Sequence, residues 1–120
     1  MSLGNRAHFY ARPPYRESLV RCFVDVLGCA GPIALPARGQ PDAILAFSFP
    51  DGGSISVDFT DDALDAEQAR RGAWLELRSM DASALQQRVL EAGLERVHYE
   101  VTRAFYFAVP GGQVFSITPA

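Results

Sequence analysis

The second half of this chain repeats the first, and that duplication restricts the fold more than any other feature of the sequence. Phe47-Ser48-Phe49 ahead of Gly52-Gly53 is mirrored by Phe105-Tyr106-Phe107 ahead of Gly111-Gly112, and His8 opens one repeat 66 residues before Trp74 opens the next. Self-similarity of this kind means one supersecondary unit built twice. In the first copy, Ala7 to Ala11 alternate apolar and polar side chains as a strand does, and Pro13-Pro14 stops that strand and pre-sets a helix start. Leu19, Cys22, Phe23, Val26 and Leu27 then form one apolar helical stripe, which Gly28 ends in the left-handed conformation. Pro32, Pro36, Gly39 and Pro41 leave at most an edge strand near Ile33 to Leu35. Ile44 to Phe49, the turn Pro50-Asp51-Gly52-Gly53 and Ser54 to Phe59 make a hairpin. The second copy runs from a strand at Ala73 to Arg78, through a helix capped by Asp81 with Ala82, Leu85, Val89 and Ala92 on one face and a stop at Gly93. A short strand at Val97 to Glu100 and a hairpin ending in Val114-Phe115-Ser116-Ile117 complete it. The fold class is therefore α+β: two βαβββ modules in one domain spanning residues 1–120, module one about 6–59, a connector 60–71, and module two about 72–118.

With 120 residues, 48% hydrophobic and 21% charged, the chain can bury a core without disulfide or metal staples. A net charge of −3 gives no field that would gather phosphate backbones or anionic lipid, so neither nucleic acid nor a membrane surface is expected as a partner. The acidic run Asp58, Asp61, Asp62, Asp65 and Glu67 reads as a hydrated linker. Seven helical rises put Cys22 and Cys29 roughly 10 Å apart, too far for a disulfide, and two free thiols suit a reducing cytoplasm. No run of apolar residues is long enough to span a bilayer, no secretory signal pattern opens the chain, and a cytoplasmic location is expected.

A small sheet covered by a helix on one face has another face to fill. If Phe9, Leu75, Leu77, Phe115 and Ile117 pack under the helices, alternation turns His8, Tyr10, Trp74, Glu76, Arg78, Val114 and Ser116 the opposite way, and Ser56 and Asp58 with them. Such a polar and aromatic set suits a small-molecule pocket. His8 reads as a pocket wall or as a ligand or general base, and Trp74 as a stacking platform or a plug. Asp58 and Glu76 read as an acid/base pair or as carboxylates paired with Arg78 or Arg103. His98 and Tyr99, on an edge strand, are expected at the surface.

His8 on the first strand, the helix end Phe23-Val24-Asp25-Val26-Leu27-Gly28, the strand from Trp74 leading to Asp81, Glu91-Ala92-Gly93 and the closing Val109-Pro110-Gly111-Gly112-Gln113-Val114-Phe115-Ser116-Ile117 together resemble the vicinal oxygen chelate superfamily of glyoxalase I, fosfomycin and bleomycin resistance proteins and extradiol dioxygenases. The resemblance covers residues 6 to 118. It implies paired modules curling into a cupped mixed sheet with the helices on its outer face. It also implies metal ligands on the first and last strands of each module, points that hold His8, Asp58, Trp74 and Ser116 here. Trp74 has no donor atom and Ser116 is neutral, so the His, His, carboxylate set of iron oxygenases is missing. A slip of register brings in Glu76 and gives His8, Asp58 and Glu76 as an alternative set for a divalent metal such as Mg, Mn, Fe or Zn.

The preferred reading is a homodimeric, metal-free pocket protein that binds a small organic molecule through His8, Tyr10, Asp58, Trp74, Glu76 and Ser116. A lyase, isomerase or dioxygenase using a shifted metal set is the alternative from the enzyme class, and a structural or regulatory subunit is the third.

Overall fold

A computed structural model describes residues 1–120, and the chain divides into two compact units, Met1–Leu64 and Asp65–Ala120.

In the first unit, β1 (Arg6–Ala11) buries Phe9 and Ala11 and leaves His8 and Tyr10 outward, as alternation requires. A 3₁₀ turn at Pro13–Tyr15 runs directly into α1 (Arg16–Arg21), Pro sitting where a helix start has no use for its missing N–H. The helix then widens into a π turn over Cys22–Val26, with the Leu27 N–H donating to the Cys22 carbonyl at 3.0 Å. That extra residue moves Val26 partly off the buried stripe, while Leu19, Cys22, Phe23 and Leu27 stay on it. Gly28, at φ +76° with open space around it, ends the helix as expected. Beneath lie Phe9, Phe23 and Phe47, the last two with ring centroids 4.9 Å apart.

The segment expected to be broken by prolines is instead a full edge strand, β2 (Ala30–Ala37), and β3 starts at Gln40 rather than Ile44, running Gln40–Ser48. The prolines are tolerated because β2 is outermost in the order β1-β4-β3-β2 and its pairing with β3 slips between Ala30 and Ile33 and again between Leu35 and Ala37. Arg38 and Gly39, at φ 50° and 75°, make the turn between them. β4 (Ser54–Phe59) lies parallel to β1 and antiparallel to β3.

The second unit opens with α2 (Ala66–Ala69), started by a capping box in which Asp65 accepts from the Gln68 N–H and Gln68 accepts from the Asp65 N–H. The acidic run is thus not a uniform linker: Asp65 caps a helix, Asp58 is buried in β4, and Asp61, Asp62 and Glu67 are solvated. β5 (Trp74–Ser79) leads to α3 (Ala82–Glu91), capped by the Asp81 carboxylate on the Ala84 N–H and packed on β5 and β8. β6 (Glu95–Tyr99), β7 (Thr102–Ala108) and β8 (Val114–Pro119) complete a sheet of order β5-β8-β7-β6 around Val89, Phe107, Phe115 and Ile117.

Strand order and direction are the same in both units, so the duplication is one of topology as well as sequence. The hairpin hydrogen bonds Phe49 N–H to Gly53 and Gly52 N–H to Phe49 recur sixty residues on as Val109 to Gln113 and Gly112 to Val109. That register corrects the expected correspondence of His8 with Trp74. His8 lies beside Ser56 and Glu76 beside Ser116, so Glu76 is the counterpart of His8, Ser56 that of Ser116, and Thr118 that of Asp58. Unequal connections before the hairpins cause the slip, because pairing register is set by the turn and the buried face and not by sequence distance.

Candidate functional site

On the sheet face away from the helix, the first unit carries His8 and Tyr10 from β1 and Ser56 and Asp58 from β4. The His8 and Tyr10 rings meet edge to face at 5.1 Å, and His8 Nδ1 is 2.5 Å from Ser56 Oγ. Asp58 is only 5% exposed, the one buried carboxylate in the chain. Its partner is neither Arg78 nor Arg103 but Arg38, whose Nη1 donates to Oδ2 at 2.8 Å and Nη2 to Oδ1 at 2.6 Å. That fork holds the Asp58 carboxyl below the usual carboxylate range; burial opposes it, and the charge of His8 adds to it. Arg38 is held above its ordinary value by the same bonds. A depression of about 410 Å³ is lined by Arg38 together with Arg16, Gln40, Asp42, Phe59 and Thr60 among others, and it includes none of His8, Tyr10 and Asp58.

In the second unit, Trp74, Glu76 and Arg78 alternate outward along β5, with Val114 and Ser116 opposite them on β8. Glu76 accepts a 2.7 Å bond from Arg78 Nε, so the expectation of an arginine partner holds for this carboxylate. Trp74, half exposed, meets buried Tyr106 at 5.2 Å between ring centroids, and Tyr99 meets Tyr106 from the other side at 4.7 Å, both edge to face. Ser116, paired in register with Glu76 and Tyr106, is 1% exposed, and its hydroxyl has no hydrogen-bond partner. An orphaned buried hydroxyl costs about 1–3 kcal/mol.

Three members of these faces were not anticipated. Arg38 falls in the proline-rich stretch where Gly39 alone marks a turn, and arginine is not a residue that signals a positive-φ hairpin position. Tyr106 was read only as part of an aromatic triplet, although alternation with buried Phe105 and Phe107 turns it to the other face. Tyr99 is half buried against it, while His98 is exposed as expected.

No protein-family profile matches the chain, and no curated protein matches it in sequence. Solved structures do match. A protein from Bacillus anthracis assigned to the glyoxalase family superposes with TM-score 0.74 at 13% identity, over 99% of this chain and 95% of that one. The fosfomycin resistance protein FosX from Mesorhizobium loti gives TM-score 0.71 at 15% identity, over 98% and 90%. A FosX variant from Listeria monocytogenes, in complex with Mn(II) and 1S,2S-dihydroxypropylphosphonic acid, gives 0.71 at 12%, over 98% and 91%. This chain has the vicinal oxygen chelate fold.

Because a structure of that fold holds Mn(II), the donors here must be tested against a metal. Both Asp58 oxygens are taken by a guanidinium, His8 Nδ1 is engaged with Ser56, Glu76 is tied to Arg78, and Ser116 offers only a neutral hydroxyl. No three His, Cys, Asp or Glu side chains are grouped as metal ligands. As arranged, these donors do not fit a divalent ion, because the one buried carboxylate among them is already neutralised by a fixed cation.

Proposed function

We propose that the protein binds a small organic molecule, aromatic or cationic, without a resident metal. The observation that carries this reading is the buried, unbonded Ser116 hydroxyl on the same face as the aromatic row Trp74, Tyr106 and Tyr99. A planar ligand gains stacking on the exposed Trp74 indole, and a cation gains the ring quadrupoles, each contact contributing about 0.5–1.5 kcal/mol. Ser116 supplies the directional hydrogen bond that fixes orientation. In the other unit, His8 and Tyr10 present a second polar and aromatic surface beside the neutralised Asp58–Arg38 pair. The reading includes a homodimer, supported by the apolar side chains of Ile33 and Leu35 exposed along the edge strand β2, and a cytoplasmic location, which two free thiols suit.

Trp74 is the sole tryptophan, so its fluorescence reports the site directly. Titration with a panel of aromatic and quaternary ammonium compounds is expected to give saturable quenching for a subset. Ser116→Ala should weaken the best ligand by about 3–10-fold in calorimetry. A flat response across the panel counts against the reading, as does stoichiometric metal in the purified protein that is lost in His8→Ala. Sedimentation at micromolar concentration checks the dimer.

A further inference from the structure

Asp58 is the only acid the chain buries, and a buried carboxylate persists only with a partner that satisfies both charge and hydrogen bonds. The partner comes from an unusual place. Arg38 is the only residue other than glycine with a positive φ, at 50°, in the tight turn between β2 and β3 where Asn or Gly is the ordinary choice. A side chain of arginine there costs backbone strain, and what the position gains is a guanidinium delivered to both oxygens of Asp58 while its outer side stays in solvent. Around Asp58 on the same face are His8, with Nδ1 on the Ser56 hydroxyl, and Tyr10 in register. Imidazole, hydroxyl and carboxylate are the donors that a divalent cation takes, and the one positive charge the cluster needs is supplied by the chain itself.

We propose that Arg38 is a tethered cation that uses up the coordinating capacity of Asp58 and closes this face to divalent metal. It is a specificity-determining residue whose role is exclusion. Nothing in the proposal depends on what the aromatic row of the second unit binds, and its test reads a different property.

The full-length protein and its variants, stripped with chelator, are compared by thermal unfolding and by calorimetric titration with Mn(II) alone. The parent protein is expected to show no Mn(II) binding and no change in Tm. Arg38→Gln leaves Asp58 buried and unanswered, so its Tm should fall by roughly 4–8 °C. Mn(II) should restore part of that loss and bind at least tenfold more tightly than to the parent. Arg38→Gln combined with Asp58→Asn should regain stability and lose the Mn(II) response, and Arg38→Lys should stay at the parent level for Mn(II). Arg38→Asn relieves the left-handed backbone while removing the charge, and it serves the same purpose if the glutamine variant does not fold. Mn(II) raising the parent's Tm as much as the variants', or Arg38→Gln and Arg38→Asn binding Mn(II) no better than the parent, would overturn the proposal.

Discussion

A carboxylate removed from water lowers its pKa only if something favours its charge more than burial opposes it, and for Asp58 that is the two-pronged bond from Arg38. The folded value lies below the unfolded one, so the native state holds this proton less tightly. Its contribution to stability is therefore present above the ordinary carboxylate pKa and disappears as pH falls through the lowered value. The Tm difference between the parent and Asp58→Asn should accordingly be constant from neutrality to about pH 5 and shrink below about pH 4. The cysteines carry the opposite sign. Burial pushes the Cys22 thiol up to about 12, with the Cys29 charge adding to it, and burial pushes Cys29 up to about 11. Both are neutral at physiological pH and their stabilising effect is lost as pH rises from about 8.5 through those values. A disulfide reagent at pH 8 should leave both thiols unmodified in the native protein and titrate two after denaturation.

Between residues and fold stand the turns and caps. Gly112, at φ +102°, has the position of its missing Cβ only 2.3 Å from the Ala66 carbonyl oxygen, so the hairpin turn packs directly on α2. Gly93 has a similar φ, +80°, but open space around it. Gly93→Ala should therefore cost about 1 kcal/mol and Gly112→Ala about 3 kcal/mol or more in urea unfolding, because only the second adds a clash to backbone strain. Asp81→Ala should cost about 1 kcal/mol through loss of the α3 cap. The caps at Asp81, Gly28 and Gly93 were legible in sequence because they depend on a residue and its immediate neighbours. The length of β2 was not. Prolines break a central strand but not an edge, and which strand is outermost follows from how the sheet is ordered, which no local window contains.

At the scale of the whole molecule, each unit is held by phenylalanine and aliphatic side chains without disulfide, and none of its helices is long and apolar enough to cross a membrane. Removing the largest fully buried rings, by Phe23→Ala in the first unit or Phe107→Ala in the second, should each cost about 3–5 kcal/mol in urea unfolding. The sequence by itself determined the duplicated βαβββ order, the helix stops, the two Gly-Gly hairpins and which side of β1, β4, β5 and β8 is outward. All of these are set by periodicities and turn chemistry that act over a few residues. Only the tertiary structure decided that Glu76 and not Trp74 answers His8 in register, that Arg38 claims Asp58, and that Ser116 is buried without a partner beside an aromatic row. Those facts require strands distant in sequence to be laid side by side, and pairing register and side-chain reach exist only once they are.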